Sequence, residues 1–288
     1  MARTLFDRVD VKSWDDITEA FKTQELAFIE GVADDHLNLI RNWRDPNPDP
    51  VLKEHEGFMV VRDDLLEAGS KIRGIDYLIG HMILNGPVKE WVFGSCPATG
   101  YAQISLPVVC NRYGKKAVLF MAERKRENLH NYQLRGLSLG ADYRWVPNGM
   151  LNVTQKRAKD YAAEKPIERR VLPIGLEHPT VIASFIRVAR SIEYKPKEVW
   201  SVGSSGTLNR ALQLAWPEAE VHVVSVGHTM KERDIGRAIY HRSELKFDKP
   251  VKNGDEPPFP SAPTYDAKAW KFMRELASPG ALFWNVAG

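Results

Sequence analysis

The 288-residue chain holds only two cysteines, Cys96 and Cys110. Two thiols cannot build a disulfide framework or an all-cysteine zinc site. Long apolar runs are missing too, since no stretch reaches the roughly 18 residues needed to cross a bilayer. Neither sign of charge dominates: 40 Lys+Arg stand against 37 Asp+Glu, a formal net charge of +3. That balance falls short of a domain whose charge alone announces nucleic-acid binding. Met1–Val11 carries Arg3, Asp7, Arg8 and Asp10, so it lacks the apolar core of a signal peptide. Hydrophobic residues at 43% and charged residues at 27% exclude wholesale disorder, collagen and coiled coil. The expectation is a soluble cytoplasmic protein of about two domains, large enough for a cleft between lobes.

The first fifty residues read as helix, with Ser13 and Asp16 spaced as a capping box ahead of Ile17, Phe21 and Leu26. Pro46, Pro48 and Pro50 then impose an extended connection, because each removes a donor and restricts its predecessor. Beyond it, short apolar runs fall at Trp91–Phe93, Ala117–Met121, Tyr143–Val146, Val171–Ile174, Val199–Val202 and Val221–Val226. Helix-like stretches lie between them at Ser105–Tyr113, Glu127–Leu139, Thr154–Ala163, Val181–Ile192 and Leu208–Ala215. Repeated strand and amphipathic helix predict an α/β fold with mainly parallel sheet. Lobe boundaries are expected near the charged stretch Gln155–Arg170 and at Lys249–Pro263. The prolines and the Asn253-Gly254 pair of the second stretch predict a long surface loop.

Three segments carry candidate chemistry. Val202-Gly203-Ser204-Ser205-Gly206-Thr207-Leu208 joins an apolar strand to a helix. Such a turn offers backbone N–H groups and a positive helix N-terminus to an anion, and its hydroxyls add donors. It lacks the lysine of a Walker A loop, the third glycine of the dinucleotide fingerprint and the G-x-S-x-G spacing. A tight βα turn with serine as helix cap is the plain alternative. In Gly69-Ser70-Lys71, turn and cap place Lys71 in the first turn of a helix, where the dipole disfavours a cation. A lysine so placed holds more free amine, the form Schiff-base chemistry needs, and a solvated surface lysine is the alternative. In Pro263-Thr264-Tyr265-Asp266-Ala267-Lys268-Ala269-Trp270, Asp266 opens another helix, a favourable place for purely structural reasons.

Together these segments resemble the tryptophan-synthase-like, fold type II pyridoxal-phosphate enzymes, within the 1-aminocyclopropane-1-carboxylate deaminase/D-cysteine desulfhydrase branch. That branch's K-R-D-D-L reads here Val61-Arg62-Asp63-Asp64-Leu65. Its G-G-N-K-x-R-K-L-E-Y-L is similar to Gly69-Ser70-Lys71-Ile72-Arg73-Gly74-Ile75-Asp76-Tyr77-Leu78. Thr99-Gly100-Tyr101 stands where S-G-N or S-N-H opens the next helix, and Leu139-Gly140-Ala141-Asp142 resembles LGAE. Leu172-Pro173-Ile174-Gly175 resembles P-x-G-G, and Tyr265-Asp266-Ala267-Lys268-Ala269 resembles Y-E-G-K-A/S. Phe283-Trp284-Asn285-Val286-Ala287-Gly288 resembles the closing F-x-H-T-G-G. The likeness keeps its order from about residue 50 to the C-terminus.

The resemblance implies a two-lobed α/β architecture, with mainly parallel sheets flanked by helices and pyridoxal 5′-phosphate in the interlobe cleft. Residues 1–87 and 171–288 would form the large cofactor-binding lobe, and 88–170 the small lobe. Lys71 would carry the cofactor as a Schiff base and then serve as acid or base at Cα. Gly203, Ser204, Ser205, Gly206 and Thr207 would hold its phosphate. Asp266 would face the pyridine nitrogen and keep the ring protonated, a strong electron sink. Tyr265 would stack or act as acid/base. Tyr101, where the family's asparagine to the phenolic oxygen falls, is a further catalytic candidate. The function implied is a pyridoxal-phosphate-dependent lyase acting at Cα of an amino acid or amino-acid-like group, by deamination, elimination or decarboxylation. A homodimer is implied, and no membrane partner or metal.

Departures from the family pattern lie on the substrate side. Ser95-Cys96-Pro97-Ala98-Thr99-Gly100-Tyr101 lacks the deaminase loop's serine and histidine, and Leu176-Glu177-His178 replaces a second glycine and serine. These argue against ring opening and desulfhydration. Compact, divergent enzymes of this type resemble ones by which bacteriophages hypermodify thymidine in DNA. The second reading is therefore a decarboxylase of an aminoacyl-modified thymidine, acting in a host cytoplasm. The third is a non-catalytic homologue that binds the cofactor. Basic clusters at Lys115-Lys116, Arg124-Lys125-Arg126, Lys156-Arg157-Lys159 and Arg169-Arg170 read either as solvated faces or as a phosphate-tracking surface for nucleic acid. Because the chain ends at Gly288, no C-terminal regulatory domain is expected. His222, His228 and His241 lack metal-ligand spacing, Cys96 reads as an inert buried thiol, and the eight tryptophans read as core.

Overall fold

The computed structural model describes residues 18, 20, 21, 31–81, 86–147, 149–227 and 229–288. The capping box expected at Ser13 and Asp16 lies outside them, as does most of the helix it would open. In chain order the elements begin with α1 (Val32–Leu39), β1 (Leu52–His55), β2 (Phe58–Arg62), α2 (Lys71–Gly80) and β3 (Glu90–Phe93). They continue with α3 (Ala102–Arg112), β4 (Lys116–Ala122), α4 (Asn131–Ser138), β5 (Asp142–Val146), α5 (Leu151–Ala163) and β6 (Arg169–Val171). The remainder are α6 (Pro179–Ser191), β7 (Glu198–Gly203), α7 (Thr207–Ala215), β8 (Glu220–Ser225), α8 (Glu232–Ile235), β9 (Ile239–Arg242), α9 (Ala267–Leu276) and β10 (Leu282–Asn285). The expected α/β fold with mainly parallel sheet is the one found. Residues 249–263 form no helix or strand. The strand expected over Val171–Ile174 stops at Val171, because Pro173 has no N–H to continue the ladder. No helix among the described residues is long and apolar enough to cross a membrane.

The chain divides into two compact units, one built from residues up to Gly74 with His178–Gly288, the other from Ile75–Glu177. The first holds a six-stranded sheet in the order β1-β2-β10-β7-β8-β9. All neighbours are parallel except the β1–β2 hairpin. β7 and β10 are buried along their whole length, the pattern of central strands covered on both faces. One side of the core gathers Phe58, Val60, Trp200, Phe283 and, from α9, Trp270 and Met273. Each such side chain contributes roughly 2–3 kcal/mol of burial. On α2, a Cβ at Gly74 would lie 2.8 Å from Val181 Cγ1 and 2.9 Å from Phe185 Cε2 on α6. The helix that begins with Lys71 therefore approaches α6 only because residue 74 has no side chain.

The second unit holds a four-stranded parallel sheet in the order β5-β4-β3-β6. Val92, Val118, Phe120 and Val146 meet Ala158 and Ala162 of α5 in its core. Replacing Gly74 by valine should destabilise the chain by about 1–3 kcal/mol, the scale of overpacking. Urea unfolding midpoints measure it, and an unchanged midpoint would show that α2 can slide away from α6.

Candidate active site

β2, β10 and β7 are parallel neighbours, so their C-terminal ends open on one edge of the sheet. In open parallel sheets that edge is where ligands bind. The chain leaves β2 into Asp63–Lys71, β7 into Ser204–Gly206 and β10 into Val286–Gly288. Three segments far apart in sequence are thereby brought together.

Lys71 is half-buried, with its Nζ 5.9 Å from the centroid of the Tyr265 ring. Its position is fixed from below. Ser70 Oγ donates to Asp63 Oδ2 at 2.6 Å, and Trp284 Nε1 donates to the same oxygen at 3.1 Å. Arg73 Nε donates to Asp63 Oδ1 at 3.1 Å, and its Nη1 reaches Asp45 Oδ2 at 2.5 Å. The Ser70 N–H donates to the Val286 carbonyl at 2.8 Å, stitching α2 to the end of β10. Burial pushes the Asp63 carboxyl up, opposed by Arg73 and by the hydrogen bonds from Ser70, Arg73 and Trp284.

Asp266 precedes α9 and is fully buried. It does not serve the purely structural purpose the sequence offers as an alternative, because its side chain caps nothing on the helix. Instead Oδ2 accepts the Ala287 N–H at 3.2 Å, while Oδ1 is buried with no hydrogen-bond partner. Burial pushes its pKa up to about 7, against the Lys71 charge and the Val286 and Ala287 N–H groups. The neighbouring carboxylate of Asp64 adds to the push. Asp64 is itself gripped by Arg62, Nε to Oδ1 and Nη2 to Oδ2 at 2.7 Å each, and by Asn285 Nδ2 at 2.8 Å. A buried acceptor left unpaired costs about 1–3 kcal/mol, so Oδ1 has the signature of a group awaiting a donor.

The glycine loop has the geometry of an anion cradle. Gly206, at φ +77°, is the residue before α7, and no side chain caps that helix. The serine-cap alternative is therefore not what the loop adopts. A Cβ at Gly206 would collide with the Asp234 carbonyl and lie 2.8 Å from Asp234 Cβ. Ser204 and Ser205 are half-buried, and Ser205 Oγ lies 3.3 Å from Thr207 Oγ1. The first N–H groups of α7 have no acceptor within the helix. Tyr265 ties this loop to the start of α9: its hydroxyl accepts the Ser204 N–H and stands 3.5 Å from the Val202 carbonyl oxygen. Burial and Asp266 hold the phenol well above its ordinary pKa. It keeps its proton at neutral pH.

Lys71, Tyr265, Asp266 and Gly203–Thr207 thus form one constellation in the first unit. Tyr101 belongs to the second, at the head of α3, with its ring edge-on to Tyr132 at 5.1 Å. Cys96 is buried, its Sγ 3.5 Å from the Gly100 carbonyl. His222 Nδ1 and His241 Nε2 lie 2.9 Å apart, both rings stacked on Trp200. Among the described residues no group of His, Cys, Asp and Glu could hold a metal, and His228 lies outside them. Sequence reasoning missed the roles of Asp63, Arg73 and Trp284: Asp63 and Arg73 are ten residues apart, but Trp284 and Asp45 reach them only through the fold.

No family model matches the chain. A protein of Pseudomonas phage M6, a "Glycyl-dTMP PLP-dependent decarboxylase", is 26% identical over 80% of this chain and 93% of its own length. Among solved structures, an ACC deaminase homologue superposes with a TM-score of 0.75 at 16% identity, covering 88% of this chain and 94% of that one. The processed threonine deaminase isoform 2 of Solanum lycopersicum gives 0.67 at 13% identity, with 90% and 85% covered. Serine racemase of Dictyostelium discoideum gives 0.60 at 12% identity, with 89% and 96% covered. The chain has the fold of the fold type II pyridoxal-phosphate enzymes.

The raised pKa of Asp266 has a stability signature. Its contribution is full below the unfolded carboxylate value near 4 and is lost as pH rises through about 7. In cofactor-free protein, the wild-type urea midpoint should therefore fall between about pH 4 and 7 more steeply than that of Asp266→Asn. Parallel curves would mean that the folded carboxyl ionises at an ordinary pH.

Proposed function

We propose that the chain is a pyridoxal-phosphate-dependent lyase acting at Cα of an amino acid or amino-acid-like group. The observation that carries the reading is the buried Asp266 Oδ1 without a donor, beside Lys71 and the glycine loop. A pyridine N–H is the kind of donor that oxygen lacks, and the loop's N–H groups and hydroxyls suit a phosphate. Lys71 Nζ is the amine for the cofactor's carbonyl carbon. When bound, pyridoxal phosphate supplies an electron sink for the pair released at Cα.

The chain's own residues do the rest. Asp266 holds the proton on the ring nitrogen, because a carboxylate beside it favours the charged form. Lys71 Nζ takes or returns the proton at Cα. Tyr265 keeps its own proton and pins the phosphate loop to the start of α9. The Asp63, Ser70, Arg73 and Trp284 network orients the helix turn that carries Lys71. Tyr101 is a further catalytic candidate, supported by its place in the Thr99-Gly100-Tyr101 motif. The family resemblance also supports a homodimer in the cytoplasm of a phage's host.

One observation favours a particular bond and substrate class. The phage M6 relative is named for decarboxylation of glycyl-dTMP. We take the substrate here to be an amino-acid group carried on a thymidine nucleotide. It would lose its carboxylate as carbon dioxide, with a proton returned to Cα by Lys71.

Visible absorbance on addition of pyridoxal phosphate tests the cofactor assignment. Wild type should gain a band that Lys71→Ala abolishes, and a band indifferent to that substitution overturns the reading. Asp266→Asn should keep binding the cofactor while turnover falls on the order of a hundredfold, the scale for one well-placed electrostatic partner. Tyr101→Phe should lower turnover with the band intact. Carbon dioxide release from aminoacyl thymidylate, but not from free glycine, separates the nucleotide-borne substrate from a free amino acid.

A further inference from the structure

The sheet of the second unit treats positive charge differently at its two edges. Where its strands begin, cations are matched. Arg169 Nε lies 2.8 Å from Glu90 Oε2, and Lys116 Nζ lies 2.8 Å from Asp142 Oδ2. Arg144 Nη2 adds a second cation to Asp142 at 2.9 Å, and Lys89 Nζ stands 3.1 Å from Glu168 Oε1. Lys115 Nζ is spent on the Val88 carbonyl at 2.5 Å, and on α5 Lys156 pairs with Asp160 at 3.0 Å. Lys115, Lys116, Lys156 and Arg169 are thus balanced locally, while Arg157 and Lys159 on α5 are exposed without an ion pair among the described residues.

Arg124-Lys125-Arg126 is different. The run leaves the C-terminal end of β4, the edge at which parallel sheets bind ligands, and all three residues are exposed. None has a carboxylate within ion-pair distance among the described residues, although exposed Glu123 and Glu127 flank them. A three-cation run without a partner is available to an external anion.

Rings stand next to it. His130 and Tyr132 pack edge-on at 4.7 Å, and Tyr132 meets Tyr101 edge-on at 5.1 Å. All three are half-exposed. The group is held in place from the backbone: His130 Nδ1 accepts the Tyr132 N–H at 3.2 Å, and Gln133 Oε1 accepts the His130 N–H at 3.0 Å. Burial first, and the nearby Arg124 guanidinium second, lower the His130 pKa, so its ring is neutral at pH 7. Cations followed by fixed rings are the two parts of a single-strand binding surface, one for the backbone and one for unstacked bases.

We propose that Arg124, Lys125 and Arg126, with His130, Tyr132 and Tyr101, bind a single strand of DNA, the cations on its phosphates and the rings against its bases. The proposal rests on the nucleotide-borne substrate inferred above. A strand fits better than a free mononucleotide, because three consecutive cations exceed what one phosphate needs. An unpaired strand fits better than a duplex, because rings stack only on bases out of the helix.

The test is the fluorescence anisotropy of a labelled oligothymidylate with the full chain, cofactor added, across a salt series. Wild type should bind with affinity falling as salt rises. The triple variant R124Q/K125Q/R126Q should bind at least about tenfold more weakly, its log–log salt slope shallower by roughly 2, near 0.7 per lost phosphate contact on a single strand. Arg157→Gln with Lys159→Gln, charge removed from α5 instead, should leave the slope unchanged. Tyr132→Leu should weaken binding about tenfold with the slope kept, as loss of one stacked base does. Absence of wild-type binding, an unaltered slope in the triple variant, or equal competition by thymidine monophosphate each overturns the proposal. Cofactor absorbance read on the same samples separates the two ideas. Binding without the Lys71-dependent band removes the lyase and leaves the surface, whereas the band without binding removes the surface and leaves the lyase.

Discussion

The buried carboxylate of Asp63 is the joint on which the candidate site depends. It lies where β2 ends and accepts from Ser70 and Arg73 at the start of α2 and from Trp284 on β10. Arg73 carries the connection on to Asp45. A carboxylate taken out of water is costly, and losing one partner of a buried charge pair costs about 3–5 kcal/mol. That cost makes the joint specific. Only the register that pairs β10 with β2 supplies the indole donor, and only the α2 start seen here supplies the hydroxyl and the guanidinium. Lys71, between Ser70 and Ile72, inherits its place from contacts it does not itself make.

Two other carboxylates nearby show how burial sorts structural groups from chemical ones. Asp64 is saturated by Arg62 and Asn285. Asp266 has one oxygen on the Ala287 N–H and the other on nothing, and its pKa rises to about 7. A fold that satisfies Asp63 and Asp64 so fully has the means to satisfy Asp266 as well. Leaving one oxygen bare carries the cost of an unpaired buried acceptor, and the neighbouring Tyr265 ties the start of α9 to the Ser204–Gly206 loop.

Much of the candidate site was legible because its signals are local. Glycines and hydroxyls between an apolar strand and a helix, and a lysine opening a helix after Gly69-Ser70, need no tertiary knowledge. Alternation of strand and helix likewise gave the α/β class. Strands β1, β2, β9 and β10 escaped. Leu52–His55 and Ile239–Arg242 are short, half-exposed edges. Phe58–Arg62 and Leu282–Asn285 are buried but too short, and too close to charged or polar residues, to stand out as apolar runs. Two structural alternatives could be decided only in three dimensions. The helix-capping alternatives for the loop serines and for Asp266 fail, the first because Gly206 takes the left-handed cap position, the second because the Asp266 side chain turns to Ala287. Trp284 reads as an apolar letter in a closing motif, yet its indole N–H completes a carboxylate 221 residues away in sequence. Nor can a count of lysines and arginines separate Lys116, which is paired, from Arg124, which is not.

Each unit presents its ligand-facing loops at the C-terminal ends of parallel strands, but with different donors. In the first unit the glycine loop offers backbone N–H groups and hydroxyls and contains no cation. Such dipoles are fixed by the fold, carry no net charge to be screened, and need no ordering of long side chains. They suit a phosphate that stays. Exposed arginine and lysine side chains act through counterion release, so their hold weakens steeply with salt and is readily reversed. They suit an anion that must arrive and leave. The proposed cofactor and the proposed strand would call for these two kinds of donor, and the chain carries the two kinds on separate sheets.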